Sequence, residues 1–109
     1  MTQQKITAAL PVNLKELIHY SNHSIVSSTI IKNKAGTVTL FAFDAGQDLS
    51  EHTAPFDALL QVLEGEANIT IDQNSITVNE GETILMPAHI PHSVAAEKKF
   101  KMLLTMIKG

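Results

Sequence analysis

The sequence predicts an all-β domain, and three observations indicate this fold class. Short runs rich in Val, Ile, Thr and Phe recur along most of the chain. Polar turns containing Gly, Asn, Asp or Pro separate these runs at short, fairly regular intervals. No second helical pattern of useful length interrupts the series, which disfavours a β-α-β architecture. Short strands joined by polar turns are typical of an antiparallel sandwich or barrel.

The first predicted element is a short helix within an N-terminal arm, residues 1–23. Asn13 stands where a capping residue is needed, and Glu16 stands at the third helical position to complete a capping box. The apolar residues of this segment fall on one stripe: Leu14, Leu17 and Ile18. We therefore expect a helix that lies on a larger body.

The strands begin at residue 24, and the core of the barrel is expected over about residues 24–108. The first two strands are joined by a hairpin turn over residues 33–36. The predicted strands are Ser24–Lys32, Thr37–Asp44, Ala58–Leu63, Ala67–Ile71, Ser75–Val78, Thr83–Met86, Ser93–Ala96 and Phe100–Ile107. Alternation in the last strand places Phe100, Met102, Leu104 and Met106 inside, and Lys101 marks the opposite face as the outer one.

Length and composition indicate one domain, residues 1–109, and exclude several classes of function. The chain has 109 residues and a net charge of −3, and its largest basic group is only Lys98, Lys99 and Lys101, so we expect no nucleic-acid partner. It contains no cysteine, which excludes disulfides and thiolate metal sites. The first ten residues lack the apolar stretch of a leader, and no apolar run is long enough to span a membrane. We expect a cytoplasmic protein with no membrane partner.

Two spaced motifs run through the second half of the chain. In the first, five residues separate Gly46 from His52, and Gly65 follows thirteen positions after that histidine. In the second, five residues separate Gly81 from Pro87, and His92 follows. Each glycine stands between strand-like runs, where a tight turn calls for a positive φ.

These spacings resemble the paired motifs of the cupin superfamily, and the resemblance covers roughly residues 37–107. It implies a small single-domain cupin of the conserved-barrel type, with a double-stranded β-helix (jelly-roll) fold. In cupins three histidines and one glutamate usually hold a metal ion. His52 and His92 match two of these ligands, whereas Ala54 and Ala58 stand at the second histidine and the glutamate. Two imidazoles alone are fewer than the three or four protein ligands of a tight site.

Other acidic and histidine residues near the motifs are weaker candidates. Asp57 precedes the glutamate position by one residue, so a regular strand directs it to the opposite face. His89 stands at the family's glycine position, and histidine is enriched among non-glycine residues with positive φ. We therefore assign His89 to the turn, and we place His19 and His23 on the surface.

The sequence thus predicts an interior pocket with an apolar lining and two convergent polar groups, which suits a small organic molecule. The predicted lining is His52, His92, Ala54, Ala58, Leu60, Met102 and Met106.

Three functions remain open for this pocket, and the enzymatic character of the protein is left undecided. The first is a binding or sensing module, without metal or weakly metal-dependent. The second is a dioxygenase or isomerase that uses a divalent transition metal held by His52 and His92. The third is a metal-free epimerase or isomerase, in which Asp57 or Asp72 orients a histidine base. We also expect a homodimer, formed through sheet edges or N-terminal arms.

Overall fold

The structure, a computed structural model, describes the backbone of residues 2–3 and the whole of residues 6–108. Ten strands follow one another along the described chain: β1 (Thr2–Gln3), β2 (Ile25–Asn33), β3 (Gly36–Phe43), β4 (Asp48–His52), β5 (Phe56–Glu64), β6 (Glu66–Ile71), β7 (Asn74–Asn79), β8 (Thr83–Met86), β9 (His92–Ala95) and β10 (Phe100–Lys108). No helix in this part of the chain is long and apolar enough to cross a membrane.

The strands form two sheets that enclose the core. One sheet has six strands in the order β1-β2-β3-β10-β5-β8, and the other has four in the order β4-β9-β6-β7. Every pairing is antiparallel except that of β1 with β2. The predicted all-β class is confirmed, and β8 has the bounds that the sequence predicts.

Strand β4 and the two-residue strand β1 were not predicted. The segment Asp48–His52 has one apolar residue, Leu49, and its other four residues are exposed. Alternation of apolar and polar residues cannot identify a strand that buries so little. Its place is set by pairing with β9, a contact that the sequence of β4 does not reveal.

The predicted N-terminal helix is wrong, because this segment forms a single 3₁₀ turn over Leu14–Glu16. The Asn13 side chain makes no capping hydrogen bond, so the box that would start an α-helix is not formed. The apolar stripe nevertheless packs as expected. Ile18 is buried, and Leu14 and Leu17 pack against the same cluster.

The main core fills the space between the two sheets. Phe43 and Phe100 stack with their ring centroids 4.6 Å apart and an angle of 16° between the rings. Leu60, Val62 and Ile69 lie around them with no exposed surface. Alternation places these side chains on the inner faces of β3, β5, β6 and β10, as the sequence predicts for β5 and β10.

A second, smaller cluster lies on the outer face of the six-stranded sheet, beneath the N-terminal arm. Ile18 packs there against Leu40 and Ala42, together with several half-buried neighbours. Lys101 lies on this outer face, as the sequence predicts, but it is only 7% exposed. The arm covers that face of β10.

Lys101 is accommodated because its ammonium group finds polar partners under the arm. Nζ donates a hydrogen bond of 2.6 Å to the backbone carbonyl of Lys15 and lies 5.1 Å from the centre of the Tyr20 ring. The Tyr20 hydroxyl in turn donates to Glu64 Oε2 at 2.6 Å. Burial, followed by this carboxylate, raises the pKa of Tyr20 above its ordinary value.

Candidate functional site

The two motif histidines meet at one end of the barrel. His52 ends β4 and His92 begins β9, and the two residues are direct partners across this antiparallel pair. Their ring centroids are 4.4 Å apart, and the rings meet edge to face at 67°. The His92 side chain is only 7% exposed, whereas His52 is open to solvent. The sequence spacing therefore brings together the two residues that it singles out.

Both imidazoles are held by backbone carbonyls through the same ring atom. His52 Nδ1 lies 2.8 Å from the Ser50 carbonyl oxygen, and His92 Nδ1 lies 3.1 Å from that of Ile90. A carbonyl oxygen only accepts, so each Nδ1 must carry the hydrogen. In the neutral ring the lone pair is then on Nε2. Neither Nε2 has a hydrogen-bond partner among residues 6–108.

Two short loops close this end of the barrel and are joined to each other. The His89 amide donates to the Ala54 carbonyl at 2.8 Å, and the Ala88 amide donates to Asp57 Oδ1 at 2.9 Å. His89 has φ 67°, which confirms its assignment to a turn that needs positive φ. The exposed Asp57 carboxylate thus accepts a hydrogen bond from the loop, and the hydrogen bonds of both histidine rings go to backbone carbonyls instead.

The glycine frame of both motifs has the predicted backbone conformation. Gly46, Gly65 and Gly81 have φ of 84°, 79° and 85°. Gly65 is further constrained, because a Cβ added there would lie 2.8 Å from the carbonyl oxygen of Lys99. His19 and His23 are exposed, as predicted.

The usual four-ligand metal centre does not fit this donor set. Ala54 lies in the loop after β4, and Ala58 is 4% exposed on the inner face of β5, so methyl groups stand at two of the four positions. Among residues 6–108, no group of three or more His, Asp or Glu side chains is placed to hold a metal ion. Two imidazole nitrogens are fewer than a tight site requires.

The predicted apolar lining lies at two depths. Ala58 is paired with Met106 on one side and with Met86 on the other, in the row nearest to the histidine end. Leu60 and Met102 lie deeper, with 0% and 1% of their surface exposed, and pack in the main core. The assignment of these residues to a ligand pocket stays a prediction.

Sequence reasoning missed a set of threonines on the inner face of the six-stranded sheet. Thr37 and Thr39 share the inner face of β3 with Phe41 and Phe43, and Thr29 of β2 is paired with Thr39. The hydroxyls of Thr29 and Thr37 are buried and have no hydrogen-bond partner among the described residues. The signal was present in the sequence, because a threonine at an inward-facing position interrupts an otherwise apolar face.

Thr37 belongs to the same end of the barrel as the histidines. It is paired with Met106, which is paired in turn with Ala58. A cavity of about 30 Å³ lies beside it, lined by Gly36, Thr37, Phe56, Met106 and Lys108. This volume is about that of one water molecule. The end with the histidines therefore combines apolar walls with polar atoms that lack protein partners.

The family follows from the match between the chain and known cupins. The sequence matches the family described as Cupin domain over residues 39–108. The chain belongs to the cupin family. Its two facing sheets form the cupin barrel, and the glycine, proline and histidine positions of both motifs lie within the matched segment or its turns. No protein of curated function matches this cupin.

Several solved structures share the whole fold. A conserved protein of unknown function from Streptococcus pyogenes is 36% identical, with a TM-score of 0.92, over 100% of this chain and 96% of that one. A cupin superfamily protein from Desulfitobacterium hafniense is 28% identical, with a TM-score of 0.91, over 100% of both chains. A cupin 2 conserved barrel domain protein from Leptotrichia buccalis is 40% identical, with a TM-score of 0.87. The match covers 89% of this chain and 47% of that one.

Proposed function

We propose that this cupin is a binding module for a small organic molecule, which it holds at the histidine end of the barrel. The observation that carries the proposal is the paired imidazoles of His52 and His92. Both rings are oriented by a backbone carbonyl at Nδ1, and both Nε2 atoms lack a hydrogen-bond partner within the described part of the chain. Fixed acceptors of this kind are the convergent polar groups that orient a ligand in an otherwise apolar site.

The polar atoms at this end define the chemistry of the ligand. A neutral Nε2 accepts a hydrogen bond, so the matching group on the ligand is a donor such as a hydroxyl. The threonine hydroxyls of the opposite sheet both donate and accept. Met106, Met86 and Ala58 supply apolar surface around them. The arrangement favours a compact molecule with an apolar body and one or more hydroxyl groups.

The two enzymatic alternatives lack a part that each requires. A metal-dependent dioxygenase or isomerase needs ligands beyond two imidazoles, and Ala54 and Ala58 supply none. A metal-free epimerase needs a carboxylate that orients the histidine base. Asp57 instead bonds the Ala88 amide, and the hydrogen-bond partners of both rings are backbone carbonyls. A binding function requires only the imidazole, hydroxyl and apolar groups already described at this end of the barrel.

A matched set of small probes tests the proposal. Catechol and phenol carry hydroxyl groups on an aromatic ring, and toluene has nearly the same shape without one. Saturation-transfer NMR and calorimetry would measure their binding to the wild-type protein and to the His52→Ala/His92→Ala double variant. His19→Ala is the control, because His19 is exposed and lies outside the motifs.

We expect catechol and phenol to bind the wild-type protein and the control more tightly than toluene does. The double variant should lose at least tenfold in affinity for catechol, about the effect of one lost hydrogen bond. Absence of binding for all three probes would overturn the proposal. Equal affinity of the wild-type protein and the double variant would also overturn it.

A further inference from the structure

The ladder between β2 and β3 contains one extra residue near the histidine end of the barrel. Thr29 is paired with Thr39, but the next pair is Ile31 with Val38, so Ile30 is inserted as a β-bulge. Directly paired residues have their side chains on the same face of a sheet. One extra residue therefore exchanges the inner and outer positions for the rest of β2.

The bulge turns Lys32 to the inner face of the six-stranded sheet. Beyond the bulge, Lys32 is paired with Thr37, whose side chain faces inward. Without the extra residue, Ile31 would lie opposite Thr37, and Lys32 would face outward. Bulges at the rims of barrels and beside active sites commonly redirect a side chain in this way.

A second lysine approaches Thr37 from the other side of β3. Strand β10 lies there, and its residue Met106 is the direct partner of Thr37. Lys108, two residues further along β10, is the diagonal neighbour of Thr37 on the inner face, at a distance that a long side chain can bridge. Lys108 and Thr37 line the same cavity of about 30 Å³, and Lys108 Nζ lies 5.8 Å from the centre of the Phe56 ring.

These polar groups are not neutralised by protein partners. The buried Thr37 hydroxyl has no hydrogen-bond partner among the described residues. Within residues 6–108, no carboxylate forms an ion pair with Lys32 or Lys108. Asp57, the acidic residue of β5 at this end, is paired with the outward-facing Ile107 and accepts its hydrogen bond from a loop amide.

We propose that Lys32, Lys108 and Thr37 form a carboxylate subsite of the ligand pocket, so that the ligand is a hydroxy acid with a compact apolar body. This inference rests on the proposed function and adds an anionic group to the ligand. Ammonium groups only donate hydrogen bonds, and their hydrogen bonds to a carboxylate are short and strong. The threonine hydroxyl between them donates to the same group.

The size of the subsite favours a carboxylate over a phosphate. The cavity beside Thr37 has room for about one water-sized group, so it admits one oxygen of a planar carboxylate. Phosphate sites are commonly built from backbone amides at a helix N-terminus or in a nest. The described residues form no helix at this end of the barrel.

The subsite faces the two imidazoles across the barrel. His52 and His92 belong to the four-stranded sheet, whereas both lysines and Thr37 belong to the six-stranded sheet. Facing sheets lie about 10 Å apart, a distance that an aromatic ring with a polar group on either side largely spans. The hydroxyl of such a ligand donates to an imidazole Nε2, and its carboxylate accepts from the opposite wall.

Calorimetry with matched probes tests this subsite. The compound meta-hydroxybenzoate carries both groups, meta-hydroxybenzamide has the same shape without the charge, and phenyl phosphate carries a phosphate instead. The test variant is Lys32→Gln/Lys108→Gln, which removes both charges and retains polar side chains. Lys98→Gln/Lys99→Gln is the control, because it removes the same charge at exposed positions before β10, at the opposite end. Circular dichroism verifies that each variant is folded.

We expect the wild-type protein and the control to bind meta-hydroxybenzoate at least about tenfold more tightly than meta-hydroxybenzamide, the effect of one charge-assisted hydrogen bond. The test variant should bind these two probes with equal affinity. Equal affinities in the wild-type protein would overturn the subsite, as would a test variant that keeps the preference or a control that loses it. Tighter binding of phenyl phosphate than of meta-hydroxybenzoate would contradict the carboxylate assignment.

The neutral probe separates this inference from the proposed function. If meta-hydroxybenzamide binds and the His52→Ala/His92→Ala variant loses it, the proposed function holds whatever the lysine variants show. If neither meta-hydroxybenzoate nor meta-hydroxybenzamide binds the wild-type protein, both proposals fail.

Discussion

The two ends of the barrel interior are built differently. At one end Phe43 and Phe100 stack face to face, and Val62 and Ile69 are fully buried around them. At the other end an imidazole edge meets an imidazole face, and the buried hydroxyl of Thr37 has no hydrogen-bond partner in residues 6–108. We call these the packed end and the histidine end.

The difference indicates which end carries most of the stability and which end we propose for function. Fully buried aromatic and aliphatic side chains contribute the largest share of folding free energy. A buried hydroxyl without a hydrogen bond instead costs about 1–3 kcal/mol. A fold keeps such groups chiefly where they serve binding or chemistry. We therefore propose the histidine end as the site, with the packed end holding its geometry.

Truncation at the packed end should have the largest effect on stability. Phe100→Ala removes half of the stacked aromatic pair and leaves a cavity, so we expect a loss of about 3–5 kcal/mol in the free energy of unfolding. His52→Ala at the histidine end removes an exposed ring and should cost less than about 1 kcal/mol. Urea denaturation measures both. Equal losses for the two variants would remove the distinction between the ends.

The motif glycines allow a second comparison between sites. Gly65→Ala places a Cβ 2.8 Å from the Lys99 carbonyl oxygen and 3.0 Å from Phe100 Cβ, at φ 79°. Gly81→Ala has a similar φ of 85° but meets no atom within 4 Å. We expect Gly81→Ala to lose about 1 kcal/mol from the strained φ alone. Gly65→Ala should lose about 3 kcal/mol or more, because a clash with rigid backbone adds to that cost.

Thermal or urea denaturation measures the stability of both variants. Equal stability of Gly65→Ala and Gly81→Ala would contradict the claim that close packing around Phe100 requires a glycine at position 65.

At the histidine end, removal of a polar group should raise stability and lower affinity. Thr37→Val keeps the shape of the side chain but removes its unpartnered hydroxyl, so we expect a gain of about 1 kcal/mol in the protein without ligand. Catechol affinity should fall in the same variant. Thr83→Val, at an exposed position of β8, is the control and should change neither quantity. A Thr37→Val protein that is less stable than the wild type would show that the hydroxyl serves the fold.

The smallest effect on stability is expected at the N-terminal arm, which packs on the outer face of the sheet near the packed end. The neutral Tyr20 hydroxyl donates to Glu64, and the pKa of Tyr20 is raised above its ordinary 10.0, chiefly by burial. A raised pKa in the folded state means that this stabilisation is present below about pH 10 and is lost as the pH rises further. We expect Tyr20→Phe to lower stability by about 1 kcal/mol at pH 8.

At pH 11 the gap between Tyr20→Phe and the wild-type protein should narrow, because ionisation of tyrosine favours the unfolded wild-type chain. Guanidinium denaturation at the two pH values measures this. A gap that widens at pH 11 would contradict the role assigned to the hydroxyl.

The sequence predicted most of the fold and the pairing of the two histidines at the candidate site. Alternation in β5 and β10 assigned the inner faces, and motif spacing identified His52, His92 and the turn at His89. These signals are local or depend on fixed spacing along the chain. The burial of Lys101 could not be predicted, because it depends on the arm, which comes from a distant part of the sequence.

Other features were missed for a related reason. Strand β4 pairs with β9 through its backbone and buries little, so its side chains carry no pattern. The threonines face inward, but only the paired strands reveal that two of their hydroxyls lack a partner.

The state of the two histidine rings tests the central claim most directly. Long-range ¹H–¹⁵N correlation NMR distinguishes a protonated ring nitrogen from one with a free lone pair. We predict that His52 and His92 both carry the hydrogen on Nδ1 at neutral pH, and that catechol shifts both Nε2 resonances while those of His19 stay unchanged. Rings protonated on Nε2, or Nε2 resonances that do not move at saturating catechol, would contradict the account.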